Sequence, residues 1–383
     1  MDKNIIYLDN AATTFPKPRG VLDATRDCME NYCGNAGRGS HALALKSAEA
    51  VYSAREALAS LFSASPENVI FTLNTTQALN LAIKGSLGRG GHVLISDMEH
   101  NSTLRPLAKL RAERKISYDI FPTHKDGMPL STEEILSGII RRMRPNTRLV
   151  CAIHTSNICS YSLPIREIGQ LCHRHGILFL VDAAQGAGHA EISLEGDNID
   201  MLCLPGHKGL YAPQGVGALI LKSSLPLDTI IEGGNGVNSL EASMGTASPE
   251  RYEGGTLCTP AIVGLCEGAR FVSEIGIDRI VAHERALWRR AYIALCGIDG
   301  IELYGDTVAG SILLFNIKDI PADDLGSKLS ERGICLRTGY HCAPLAHRSL
   351  NTPDGGALRM SFSVFNTEGE VDLACQTVAE LAK

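Results

Sequence analysis

No stretch of this sequence is apolar for long enough to cross a membrane, and no basic run or aromatic-basic strip marks a nucleic-acid surface. The net charge of −6 points away from nucleic acid as well. Aromatic residues are scarce, 5% against 44% apolar residues in all, so the core must be aliphatic, which suits an α/β fold better than a β-sandwich. The twelve cysteines form no C-x-x-C pair, and Met1-Asp-Lys-Asn carries no basic-then-apolar export segment. Buried thiols are therefore expected in place of a disulfide frame or a zinc site, with no metal, and a cytoplasmic protein is the simplest reading. Internal repeats, low-complexity tracts and linkers are lacking too.

What is present is alternation. At 383 residues the chain can build more than one domain. From about residue 66, short apolar runs alternate with helical patterns. Val69–Thr72, Val93–Ile95, Tyr118–Phe121, Leu149–Ile153, Ile177–Val181, Met201–Leu204 and Val216–Leu221 read as strands, and Ile165–His175, closing on Gly176, reads as an amphipathic helix. Such a series predicts a mostly parallel seven-stranded sheet with helices on both faces and ligands at the carboxyl ends of the strands. Beyond about residue 265 the pattern changes to two long helices, strand candidates at Ser311–Asn316 and Leu358–Phe362, and a last helix. We expect a large domain over residues 17–264 and a smaller α+β domain over 265–383. Residues 1–16 are expected to pack near the small domain and the active site, in a cleft between the two domains.

Lys208 is the most informative residue. It follows the apolar run Met201–Leu204 among glycines, twenty-six positions after Asp182 ends another apolar run. A lysine at the mouth of a buried strand is poorly placed for solvation but well placed to hold an aldehyde as a Schiff base. An aspartate at a neighbouring strand end could keep a ring nitrogen protonated. The pair points to pyridoxal 5'-phosphate. Gln185, in Asp182-Ala-Ala-Gln185, could bond the ring's phenolic oxygen. Asn74-Thr-Thr-Gln opens a helix after a strand and could bind an anion, although taken alone it reads more simply as an N-cap. His100, after Val93–Ile95, could stack on a planar ring; a lone histidine there is more often structural. Cys342 lies in Arg337-Thr-Gly-Tyr-His-Cys-Ala-Pro344, where nearby positive charge favours thiolate. Arg359, seventeen residues later, could grip a carboxylate through two prongs.

Together these segments resemble the class V aminotransferase-like family of fold-type-I pyridoxal phosphate enzymes, within it the cysteine desulfurase and selenocysteine lyase branch. The resemblance runs nearly end to end. It rests on Leu8-Asp-Asn-Ala-Ala12, Arg38-Gly-Ser-His41, Thr75-Thr76-Gln77-Ala78, Met98-Glu-His100, His154-Thr-Ser-Asn157, Asp182 to Gln185, Gly206-His-Lys208, Glu253-Gly-Gly-Thr256, Arg337 to Ala343, and Arg359 with Phe365-Asn-Thr367.

The resemblance implies that Lys208 is the Schiff-base lysine, Asp182 the pyridinium partner and Gln185 the contact to the phenolic oxygen. His100 would stack on the ring, and Thr75, Thr76 and His207 would hold the phosphate. Thr256 would reach the phosphate of a neighbouring subunit, which implies a homodimer with shared sites. Ala12, Arg38, Asn157 and Arg359 would face the substrate, and Cys342 would accept sulfur from L-cysteine as a persulfide, releasing L-alanine, before passing it to an acceptor protein or thiol. The loop resembles the short, ordered cysteine loop of one subgroup. Three departures stand out: Pro205 in place of a phosphate-binding serine, and Gly37 and Tyr340 in place of histidines. The alternatives are selenocysteine lyase activity or selenium delivery, transamination or epimerisation on the same cofactor, and a non-catalytic sulfur carrier that kept the fold.

Overall fold

The computed structural model describes residues 5–383 except 38, 224, 237–239 and 306–309. The seven apolar runs are seven strands of one sheet: β1 (Val69–Thr72), β2 (Gly91–Ser96), β3 (Ile116–Phe121), β4 (Thr147–Ile153), β5 (Leu178–Asp182), β6 (Met201–Pro205) and β7 (Gly217–Leu221). Their spatial order is β1-β7-β6-β5-β4-β2-β3. All pairings are parallel except those of β7, which runs against both β1 and β6. β1 therefore points the same way as the parallel strands, and six strands finish on one rim. Strands β1, β6 and β7 are buried at every position, because helices cover both faces and leave no polar side to alternate with.

Local chemistry sets the connections. The helix Ile165–His175 stops at Gly176, whose left-handed φ of 63° lets its N–H turn back to Cys172 O. The helix Thr75–Ser86 starts where the Asn74 side chain accepts from Gln77 N at 3.0 Å. Gly217 lets this helix start press against β7. A Cβ there would lie 2.7 Å from Leu204 O and 3.0 Å from the Asn74 carbonyl carbon.

A second sheet is antiparallel throughout: β8 (Ile301–Tyr304), β9 (Ile312–Ile317), β10 (Arg337–Gly339) and β11 (Ala357–Ser361), in the order β8-β9-β11-β10. It packs with the helices Ile277–Cys296 and Glu368–Leu381 around its own apolar cluster, which includes Trp288, Phe315 and Met360. Ile6 and Leu8 belong to that cluster, and Ile6–Tyr7 pairs in parallel with Ile334–Cys335. The chain then runs past Ser361, whose Oγ accepts from Ala11 N at 2.9 Å, and so brings Ala11 and Ala12 to the rim of the large sheet. No described helix is long and apolar enough to cross a membrane.

Candidate active site

Four consecutive strands deliver the central residues. Lys208 lies three residues past β6, Asp182 ends β5, Asn157 follows β4 and His100 follows β2. Because those strands are parallel neighbours, their carboxyl ends gather side chains that are far apart in sequence. The result is a cavity of about 220 Å³, and Ala12, Thr75, Thr76 and His207 line it with these four. Arg359 and Cys342 close it from the second sheet's side.

The floor controls charge by burial. Asp182 is 3% exposed and accepts from Ala184 N at 2.9 Å. Burial raises its pKa from 3.8 to about 6, against a smaller opposing effect of Lys208. The shift corresponds to roughly 3 kcal/mol, which a cationic ring nitrogen held there would offset. Lys208 borders the cavity and so keeps some accessible surface, yet protein surrounds it. Burial lowers its pKa from 10.5 to about 8, while Asp182 pulls the other way. An amine in that range is readily deprotonated, as a nucleophile or base must be.

At one end a hydroxyl chain ties two helix starts together. Thr76 Oγ1 lies 2.8 Å from Ser102 Oγ, which lies 2.9 Å from His100 Nδ1. Ser102 N donates to the same nitrogen at 3.1 Å, so His100 Nδ1 is an acceptor and the ring's proton is on Nε2. Burial first, then Lys208, lowers the His100 pKa to about 4, which keeps the ring neutral. Burial also lowers His207 to about 4. Thr75 Oγ1 and His207 Nδ1 are buried without a hydrogen-bond partner, beside the free N–H groups of the helix that Asn74 caps. Two orphaned polar groups lining one cavity, one of them on the first turn of a helix, suit an anionic group such as a phosphate. Pro205, in β6, contributes no N–H to it.

The opposite wall suits a carboxylate. Arg359 is 2% exposed; its Nη2 donates to Asp9 Oδ1 at 2.7 Å and its Nη1 to Asn157 O at 2.8 Å. Its Nε and the Oδ1 of Asn157 have no partner. Cys342 is exposed, but its backbone is fixed. Cys342 O accepts from Asn101 N at 2.8 Å, and His341 O accepts from Asn157 Nδ2 at 2.8 Å. His341, next to Cys342 in the chain, supplies no positive charge. Its ring nitrogens lie against His347 Nε2 and Arg337 O, and burial, with Arg359 adding to it, depresses its pKa to about 2.

Three of the predicted residues stand apart. Gln185 lies outside the cavity lining and donates from Nε2 to Ala11 O at 2.9 Å. Thr256 lines a different, larger cavity of about 580 Å³ with Asn35, Gly37 and the buried Arg55–Glu253 ion pair. Arg38 lies outside the described residues. Sequence reasoning missed Ser102 and Asp9, whose partners are 26 and 350 positions away. Asp9 lies within the quoted motif Leu8 to Ala12; Ser102 gives no signal beyond its closeness to His100.

A lysine with a lowered pKa, an aspartate whose charge is disfavoured by burial, and an anion cradle around one cavity on a mostly parallel sheet fit pyridoxal phosphate. The fold and site define a pyridoxal-phosphate-dependent enzyme of fold type I. Residues 6–373 match the family model for aminotransferase class-V, and the chain belongs to that family. It is 34% identical over 388 residues to a probable cysteine desulfurase of Methanothermobacter thermautotrophicus, covering 98% of this chain and 94% of the other. It is 31% identical over 379 residues to a cysteine desulfurase of Klebsiella pneumoniae, covering 96% and 91%. Among solved structures, the apo cysteine desulfurase of Thermococcus onnurineus matches with a TM-score of 0.90 at 28% identity, covering 99% of this chain and 94% of that one. The cysteine desulfurase CsdA of Escherichia coli matches with 0.87 at 26% identity, with the same coverage.

Proposed function

We propose that this chain is a cysteine desulfurase that takes sulfur from L-cysteine onto Cys342 and releases L-alanine. One observation carries the reading: Cys342 lines the same cavity as Lys208 and Asp182, on a loop hydrogen-bonded to Asn101 and Asn157. Pyridoxal phosphate, when bound, supplies an electron sink for the substrate's α-carbon. Asp182 would hold its ring nitrogen, His100 would face the ring, and Thr75, Thr76 and His207 would hold its phosphate.

Lys208 Nζ would anchor the cofactor and, as a free amine, would take the substrate's Cα proton and return it, which its lowered pKa favours. Arg359 binds the substrate carboxylate through its free Nε edge, with Asn157 beside it, and Ala12 borders the same space. The Cys342 thiolate then attacks the substrate sulfur. A sulfur–sulfur bond forms, the substrate's carbon–sulfur bond breaks, and its electron pair stays with the carbon that becomes the alanine methyl after protonation. The persulfide passes to an acceptor protein or thiol.

Gln185 and Arg38 are assigned to this site on family resemblance alone. Thr256 lies off the cavity, which fits a contribution to the phosphate site of a second copy in a homodimer. A division into residues 17–264 and 265–383 is consistent with the separate apolar cluster under the second sheet.

The test is product analysis with L-cysteine and L-selenocysteine, for the native protein and Cys342→Ala. Alanine and a Cys342 persulfide from cysteine are expected, with cysteine turnover lost in the variant. Keto acid without alanine would sink the proposal. Native turnover confined to selenocysteine would replace it with the lyase reading.

A further inference from the structure

Beneath the Cys342 loop lies a row of hydrogen bonds that the chemistry above does not use. His341 and His347 are 5% and 1% exposed, with His341 Nδ1 3.1 Å from His347 Nε2 and the rings within 9° of parallel. At the outer ends, His341 Nε2 lies 3.4 Å from Arg337 O, and His347 Nδ1 lies 2.8 Å from Thr352 Oγ1. With both rings neutral, one proton assignment satisfies the three ring contacts, the Thr352 hydroxyl turning to His347 Nδ1 at 2.8 Å and not to His347 O at 3.3 Å. A carbonyl only accepts, so His341 Nε2 carries the hydrogen and His341 Nδ1 must accept. His347 Nε2 then donates to it, and His347 Nδ1 accepts from the Thr352 hydroxyl. Both rings are neutral in this arrangement.

The row ends at an unusual piece of backbone. His341 and Cys342 are consecutive non-glycine residues with φ of 49° and 57°, a left-handed pair that the surroundings must impose. His341 is gripped twice, by Asn157 on its carbonyl oxygen and by His347 on its ring. His347 belongs to the short helix Pro344–Ser349 that follows the loop, and Thr352 lies just beyond it. The loop, its helix and the following turn therefore form one closed hydrogen-bonded unit that leaves the thiol exposed and the backbone fixed.

Resting on the desulfurase reading, we propose that His347, anchored by Thr352, is a positioning residue for sulfur transfer. It acts through His341 to hold the left-handed turn that aims the Cys342 thiol. His347→Leu removes the donor, His347→Gln keeps an amide donor in reach of His341, and Thr352→Val removes the anchor while keeping its shape.

Two reactions of the holoenzyme are compared: alanine release from L-cysteine, and hydrogen–deuterium exchange at Cα of L-alanine, which needs Lys208 but no thiol. In His347→Leu, kcat for alanine release should fall about tenfold or more with KM little changed, while exchange stays within about twofold of the native protein. His347→Gln should recover most of the loss. Thr352→Val should show the same split more weakly, and serves if His347→Leu does not fold. Alanine release within about twofold of native in both His347→Leu and Thr352→Val would overturn the proposal, as would equal loss of release and exchange. A native protein that exchanges Cα hydrogen but makes no alanine would instead overturn the functional reading itself.

Discussion

The floor of the cavity and the loop above it achieve order by opposite means. Asp182 and Lys208 belong to strand ends and are immersed in protein, so their charges are set by desolvation and by each other. Cys342 belongs to a loop, is exposed, and is held through backbone carbonyls and a neighbouring pair of histidines. Proton and electron chemistry needs controlled charge, which burial provides. Attack on a sulfur atom needs a thiol that is free to meet substrate from a fixed direction, which a pinned but open loop provides. The separation teaches that two steps of one reaction can be damaged independently.

The largest break comes from the floor. Lys208→Ala should reduce both Cα exchange and alanine release by about 10⁴-fold, because under the proposed mechanism the anchor and the proton-transfer base would be lost together. Asp182→Asn should slow both reactions by roughly 10³-fold, since a neutral amide no longer stabilises a cationic ring nitrogen. Isotope exchange followed by mass spectrometry, alongside alanine assay, reads both. A variant that lost only alanine release would contradict the placement of these residues under the proton step. Cys342→Ala is the converse, with an expected loss of about 10²-fold or more in alanine release from cysteine and unchanged exchange. Equal damage to exchange would show that the loop supports the floor and that the two regions are one unit.

The same contrast separates what the sequence displays from what it hides. The seven strands are legible because each is an aliphatic run buried on both faces, and Lys208 and Asp182 are legible because they terminate such runs. Boundaries are less so. Polar residues conceal the start of β2, where His92 is fully buried with Nδ1 2.8 Å from Thr147 Oγ1, and Thr147 in turn opens β4. The second sheet's β10 has three residues without an apolar pattern, and its existence depends on pairing with β11. Ser102 acquires its place from a helix start that meets another helix start. His347 acquires its place from a ring contact within a turn, and its small polar partners carry no periodic signal. The neutral state of His341 was equally hidden, because adjacency to cysteine in sequence says nothing about which way a ring points.

The smallest effect isolates burial from pairing on the floor itself. Only the neutral amine of Lys208 can add to an aldehyde, and burial has moved its pKa down to about 8. The rate of pyridoxal phosphate capture by the apoprotein should therefore rise about tenfold per pH unit below that value and level off above it. A solvated lysine would continue to gain past pH 10 or so. Between those limits the unfolded chain binds a proton that the folded chain does not. This group's contribution to stability therefore improves as pH rises through the window and is poorest below about 8, where the cation must be buried. Asp182 opposes burial by favouring the cation, so Asp182→Asn should move the plateau to lower pH. Stopped-flow absorbance across the range gives both midpoints. An identical midpoint in the variant would mean that Asp182 does not tune the Lys208 amine and that the two strand ends are electrostatically independent.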